Sequence, residues 1–412
     1  MPSATRSLAA EAISADVRPP RASAETTVHP RESMHVLPAV LQRPLTLLTG
    51  KSLAGQRWTS TPTGHLAGAA LSVLLGVVIS AAAVRWGGAG LLALLPGWAV
   101  TLHGVRCLRI TIFHQSAHGN LYGRKRRDAA IGRAIALLLL VEGFDHYRWE
   151  HIVEHHSARH MTMRDPTVRA LLLGVGLCPG MTRRQAWRRM ILTLLSPAFH
   201  VRYAASRIRS HFAGASRRRT VGTLAFVLAV VAVLTVTSTW LAFLLVWVVP
   251  VTVLFQIAAT LRLSVKHVFP APGGLRRGRA YFASLTYGVF LGEAVPSPSN
   301  SRLRHLRAWV RWSLRMLLVH APARYLVLTG DTVCHDFHHR HPNAKNWAEY
   351  LFEREEDVRR GHPGWPAYQE VWGLSSAMNL MFDSLARCDP AEFAVPRRRS
   401  RRLPDLFEGF DD

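Results

Sequence analysis

Residues 221–261 read VGTLAFVLAVVAVLTVTSTWLAFLLVWVVPVTVLFQIAATL, without one charged side chain. A helix needs roughly 20 predominantly apolar residues to cross the hydrocarbon core of a bilayer. The stretch therefore holds two spans joined by a tight turn near Thr237–Trp240. The pattern occurs again nearer the N-terminus. Residues 66–84 (LAGAALSVLLGVVISAAAV) are uncharged, and after a break at Arg85-Trp86-Gly87-Gly88 the apolar run resumes and extends toward Ile112, interrupted by Arg106 and Arg109. Spans at about 66–84, 89–112, 221–238 and 240–261 follow, arranged as two hairpins. A soluble chain would spread its apolar residues over several cores, and runs this long argue against that.

The 412-residue chain has a formal net charge of +25 and a pI near 11.3, which in a soluble domain would suggest a nucleic-acid partner. Where the charges sit points elsewhere. RKRR (124–127), RRQAWRR (183–189), RRR (217–219), RRGR (276–279) and RRRSRR (397–402) all fall outside the spans, while the two turns within the hairpins are nearly bare. Lys and Arg are retained on the cytoplasmic side of membranes. The expected topology puts the basic clusters and both termini in the cytosol, against anionic headgroups, with no nucleic acid bound.

Residues 1–45 are expected to form an unstructured leader, rich in Ala, Ser, Pro, Arg and Glu and without an apolar core long enough for a signal peptide. Residues 46–390 form the membrane domain, and 391–412 a basic then acidic tail. Residues 129–141 are too short to cross and carry Arg133, so they read as an interfacial or re-entrant helix. Residues 303–328 read as an amphipathic interfacial helix. Cys107, Cys178, Cys334 and Cys388 form no CxxC pair and read as unpaired thiols.

Three histidine clusters sit beside these spans: HQSAH at 114–118, HIVEHH at 151–156 and HDFHH at 335–339. They supply His114, His118, His151, His155, His156, His335, His338 and His339. Neutral imidazole is the commonest metal-ligating side chain, and so many exceed the needs of one tetrahedral site. Two metal ions at the membrane edge are expected. By helical spacing His114 pairs with His118, His151 with His155, and His335 with His338, leaving His156 and His339 turned toward a neighbouring ion. Carboxylates near the clusters, Asp145, Glu150, Glu154, Asp165, Asp331 and Asp336, could orient imidazoles. Helix capping and ion pairing are equally available to them, and capping is the more economical role for Asp331. His146, His160, His341 and His362 flank the clusters and read as supporting or surface groups, and His103 and His320 as packed or interfacial ones. His200, His211 and His305 carry no distinguishing context.

In order and spacing the clusters resemble the three histidine boxes of the membrane fatty acid desaturase and hydroxylase superfamily, over roughly residues 60–390. Gly119-Asn120, Tyr147-Arg148 and Asp165-Pro166-Thr167 extend the likeness. The resemblance implies an all-α integral membrane fold: four transmembrane helices in two hairpins, with a cytosolic helical cap carrying the boxes. It implies two iron ions in a di-iron centre, with dioxygen as co-substrate, and desaturation of an acyl chain as a lipid or acyl thioester. By the same likeness His267 matches the extra ligand found between the second and third boxes. Members often place an acidic residue just before it, where this chain has Lys266. A hydroxylase acting on a fatty acyl, terpenoid or carotenoid substrate is the alternative. A non-catalytic metal-binding or transport protein is a more distant one, since transport sites lie near the bilayer midplane. No dinucleotide fingerprint, fused haem module or iron–sulfur cysteine set is visible. Electrons are therefore expected from a separate ferredoxin or small cytochrome with its reductase.

Overall fold

The computed structural model describes residues 29–394, apart from 158, 275–277 and 362. Order begins earlier than composition suggests. Pro30–Ser33 is helical and is followed by α1 (Ala39–Thr49), within the segment expected to be an unstructured leader. The cause is Arg31, fully buried. Its guanidinium donates to Gln42 Oε1 at 2.9 Å, Thr46 Oγ1 at 2.9 Å and the Lys51 carbonyl at 3.2 Å. A buried charge persists only when so satisfied. The expected leader up to residue 28, His362, and the tail from 395 lie outside the described residues.

Four helices are long and apolar enough to cross a membrane: α2 (Pro62–Trp86), α3 (Gly88–His118), then, further along the chain, Arg217–Val236 and Trp240–Leu263. Thr61 caps α2, accepting from Gly64 N at 3.0 Å, with Pro62 in the first turn. α2 and α3 lie backbone against backbone. A Cβ on Gly104 would stand 2.6 Å from Val73 N and 2.7 Å from the Ala69 carbonyl. Such close approach is how apolar helices gain contact where no hydrophobic effect separates them from lipid. Their outer faces expose Leu71, Leu74, Leu75, Val78, Leu92 and Leu95, a surface that only an apolar solvent would leave uncovered.

After α3 come α4 (Lys125–Leu139) and α5 (Phe144–Trp149), whose last turn widens into a π-helix over Glu150–His155. Next are α6 (Pro166–Val175), α7 (Arg183–Leu194) and α8 (Pro197–Phe212). α9 (Arg217–Val236) and α10 (Trp240–Leu263) then form the second apolar pair, turning at Ser238 with φ +52°. α10 meets α3 through the Trp98 indole, which donates to the Leu245 carbonyl at 2.6 Å. β1 (Gly288–Phe290) precedes α11 (Arg302–Arg315), α12 (His335–Arg340) and α13 (Tyr350–Arg360). β2 (Glu370–Trp372) pairs in parallel with β1, and α14 (Leu374–Arg387) is followed by a short 3-10 turn at Pro390–Phe393. The small sheet departs from an all-helical expectation. α11 buries none of its residues and exposes Leu303, Leu306, Val310 and Leu314 between its arginines, as an interfacial helix would.

Candidate metal centre

All three histidine clusters lie at helix ends, and a break in regular helical geometry precedes or carries each. α3 passes through a π-segment at Cys107–Phe113, carries His114 and His118 in its last turn, and stops at Gly119 with φ +70°. On α5 the π-turn closes with a hydrogen bond from His156 N to the His151 carbonyl at 3.0 Å. One extra residue per turn aligns positions five apart, and π-turns of this kind recur at functional sites. α12 carries His335, His338 and His339. Its entry is braced by Asp331, which accepts from Gln115 Nε2 at 2.8 Å and Thr111 Oγ1 at 3.3 Å on α3.

The imidazoles converge into two groups. His114, His118, His151, His156 and His338 bring their nitrogens within 4.8 Å of one another, and His155, His267, His335 and His339 do the same. Two of the pairings expected from spacing are therefore different. His151 works with His156, not His155, because the turn between them is a π-turn. His335 works with His339, not His338, because α12 is regular helix, where four residues complete about one turn. His114 and His118 share a group as expected, and His267 joins the second group, held on an irregular turn bridged to Thr286.

His151 Nε2 lies 2.9, 3.0 and 3.1 Å from the Nε2 atoms of His114, His118 and His156. His335 Nε2 lies 3.3 Å from His267 Nε2 and 3.1 Å from His339 Nε2. A neutral imidazole has one N–H, so a nitrogen with three such neighbours can donate to only one of them. Two ligands at right angles on a metal about 2.1 Å away would be about 3 Å apart. The spacing suits lone pairs shared around a cation better than hydrogen bonds. His155 Nε2 is buried with no hydrogen-bond partner among the described residues, although its Nδ1 is held by Asp165 at 3.1 Å. Burial, reinforced by neighbouring imidazoles, holds His156 and His339 well below the ordinary histidine range. For His267 and His335 burial is again the main cause, with Lys266 and neighbouring imidazoles adding to it. Neutral imidazole is the form that ligates metal.

The carboxylates divide sharply. Asp165 orients His155, and its Oδ2 stands 3.1 Å from His160 Nδ1. Burial would raise its pKa, but His155 and His160 outweigh that and hold the carboxyl well below the usual range. Asp145 is half exposed and pairs with Arg133 at 2.9 Å. Glu154 pairs with Arg159 and Arg164. Asp336 grips Arg354 Nη2 at 2.8 Å and Nε at 3.0 Å. None of these three is placed to orient an imidazole. Cationic partners that lie distant in sequence captured Asp145 and Asp336, and spacing alone could not reveal them. Of the two roles the sequence offers His160, supporting or surface, burial excludes the second: it is 2 % exposed and packs against His155, His267 and His339. Its position five residues after His155 was the available signal.

A narrow cavity opens between the two groups, lined by His114, His151 and His335 together with Arg109, Tyr147, Arg262, Lys266, Asp331 and Thr332. Tyr147 stacks on His151 at 5.1 Å and against the Arg109 guanidinium at 4.3 Å. The lining mixes the basic Arg109, Arg262 and Lys266 with Asp331, Tyr147 and the apolar Ile110. A larger recess of about 350 Å³ lies between α10, α11 and α14, with Trp187, Leu261, Val319, Trp372 and Met378 among its walls.

Comparison with known proteins places these features in one context. The family model described as "Fatty acid desaturase" matches residues 89–348, a range that takes in every histidine of both groups. Neither the curated proteins nor the solved structures contain a match.

Proposed function

We propose, from the premise that this chain belongs to the fatty acid desaturase family, that it is a membrane-bound di-iron oxidase which desaturates an acyl chain. The observation that carries the reading is the convergence of nine imidazoles into groups of five and four. Two iron ions held there would supply the activation of dioxygen needed to oxidise an unactivated C–H bond. The protein's own part is positioning. His114, His118, His151, His156 and His338 hold one ion, and His155, His267, His335 and His339 the other. Asp165 fixes the His155 ring with Nε2 facing the second ion. The cavity between the groups is where the reacting carbon has to arrive.

In this reading α2–α3 and α9–α10 are two transmembrane hairpins. The remaining helices form a cytosolic cap, and both termini are cytosolic. The bare turns at Gly87-Gly88 and Thr237–Thr239, against basic runs elsewhere, support that sidedness. Electrons would come from a separate acidic carrier, a ferredoxin or small cytochrome, attracted by the basic face. Hydroxylation is the second reading. Both outcomes begin with removal of a hydrogen from the same C–H bond, and Arg109, Arg262 and Lys266 on the cavity wall suit a substrate with a polar end in either case.

The deciding experiment is expression with a compatible donor, followed by mass spectrometry of the lipids and metal analysis of the purified protein. Loss of two hydrogens identifies a desaturase, and gain of one oxygen a hydroxylase. His155→Ala should abolish turnover. An iron-free protein, or full activity in that variant, would refute the proposal.

A further inference from the structure

The second histidine group has four members where the first has five, and a tenth imidazole stands beside it. His160 is 2 % exposed. Its ring centroid lies 4.6 Å from His267, 4.8 Å from His155 and 4.8 Å from His339, three of the four group members. Its Nδ1 is 3.1 Å from Asp165 Oδ2, while Asp165 Oδ1 takes His155 Nδ1. Asp165 thus hydrogen-bonds His155 and stands at ion-pair distance from His160, and the three form a further cluster of potential metal ligands beside the second group. A carboxylate behind a histidine is the usual support of a metal ligand. Neither ring nitrogen of His160 has a hydrogen-bond partner among the described residues. Leaving a buried polar nitrogen unsatisfied is unfavourable, so the position calls for something that accepts its lone pair.

The backbone supplies an independent sign. Met161, fully buried, has φ +54°, a left-handed conformation that an unbranched, non-glycine residue rarely takes. Asp165 Oδ2 accepts from Met161 N at 2.8 Å and keeps the strained turn in place. Strain of this kind persists where surrounding structure enforces it, typically at functional sites. Here it swings the residue before Met161 inward, against the histidines.

We infer that His160 is a fifth nitrogen ligand of the second metal position, bringing that position level with the first. The inference rests on reading the two groups as a di-metal centre, and its test separates the two claims. The full-length protein is loaded with cobalt(II), and metal content is measured first. Wild type, with its four native cysteines, sets the absorption baseline. In His160→Cys a thiolate-to-cobalt charge-transfer band should appear that is missing from wild type and from His160→Ser. His160→Gln should release one of its two cobalt ions to a chelator at least about tenfold faster, with the other unchanged. If variants fail to fold, exchange of the His160 C2 proton in the unaltered chain decides, and it should slow on cobalt loading. Two bound metals with no new band, wild-type release and unchanged exchange would overturn the role of His160 alone. A wild-type protein that binds no metal would overturn the di-metal reading itself.

Discussion

Asp165 shows how much one side chain can organise. It accepts from His155 Nδ1 at 3.1 Å, from Met161 N at 2.8 Å and from Thr167 N at 2.9 Å, the last capping α6. An amide has one acceptor oxygen where the carboxylate has two, so Asp165→Asn cannot serve every donor. Metal retention in this variant should fall roughly 10- to 100-fold, read by chelator competition, with helix content unchanged. The Asp-Pro-Thr signature was legible in the sequence as part of a family pattern. Its partners were not: Asp145, Glu154 and Asp336 looked equally eligible, and the folded contacts assigned all three to arginines, Glu154 to the nearby Arg159 and Asp145 and Asp336 to arginines more distant in the chain.

Among the elements, the join between α3 and α12 decides whether the third cluster meets the first. Gly330 opens the turn before α12 with φ +56°, and a Cβ there would collide with the Thr111 hydroxyl on α3. Both the backbone angle and the space demand glycine. Gly330→Ala should push α12 off α3, separate His338 from His114, and lower metal content while leaving the apolar helices intact. The other side of α12 is anchored by ion pairs. Asp336 holds Arg354, Arg354 holds Glu370 at 2.9 Å, and Lys51 reaches both Glu355 and Glu370. Burial would raise the Glu370 pKa, but His29, Arg354 and Lys51 outweigh it and hold the carboxylate below its usual range. A carboxylate with a depressed folded pKa contributes stability above its unfolded pKa of about 4.3, and that contribution is lost as pH falls through the folded value. Stability from this network should be flat near neutrality and fall only in acid. Lys51→Met should move acid unfolding to higher pH, followed by thermal denaturation in detergent across pH. An unmoved midpoint would exclude the network as the anchor.

For the molecule as a whole, one thiol reports sidedness. Cys178 is exposed between α6 and α7, whereas Cys334 and Cys388 are buried. In the proposed topology Cys178 faces the cytosol, so a membrane-impermeant maleimide should label it in inverted vesicles and not in right-side-out ones. The opposite pattern would reverse the orientation.

The apolar runs determined the four long helices without help from tertiary structure, because hydrocarbon solvation acts on each segment independently. Helices long and apolar enough to cross a membrane overlap the stretches 66–84, 89–112, 221–238 and 240–261, the third running from Arg217 only to Val236. Histidine identity and order were equally local and pointed to the family on their own. Which imidazoles share a site was not local. It depended on a π-turn in α5, on a regular turn in α12, and on the close seat at Gly330, all set by packing among elements far apart in sequence. His160 belongs to that second kind of information: a flanking histidine in the sequence, it becomes a neighbour of three imidazoles once a strained turn at Met161 folds it inward.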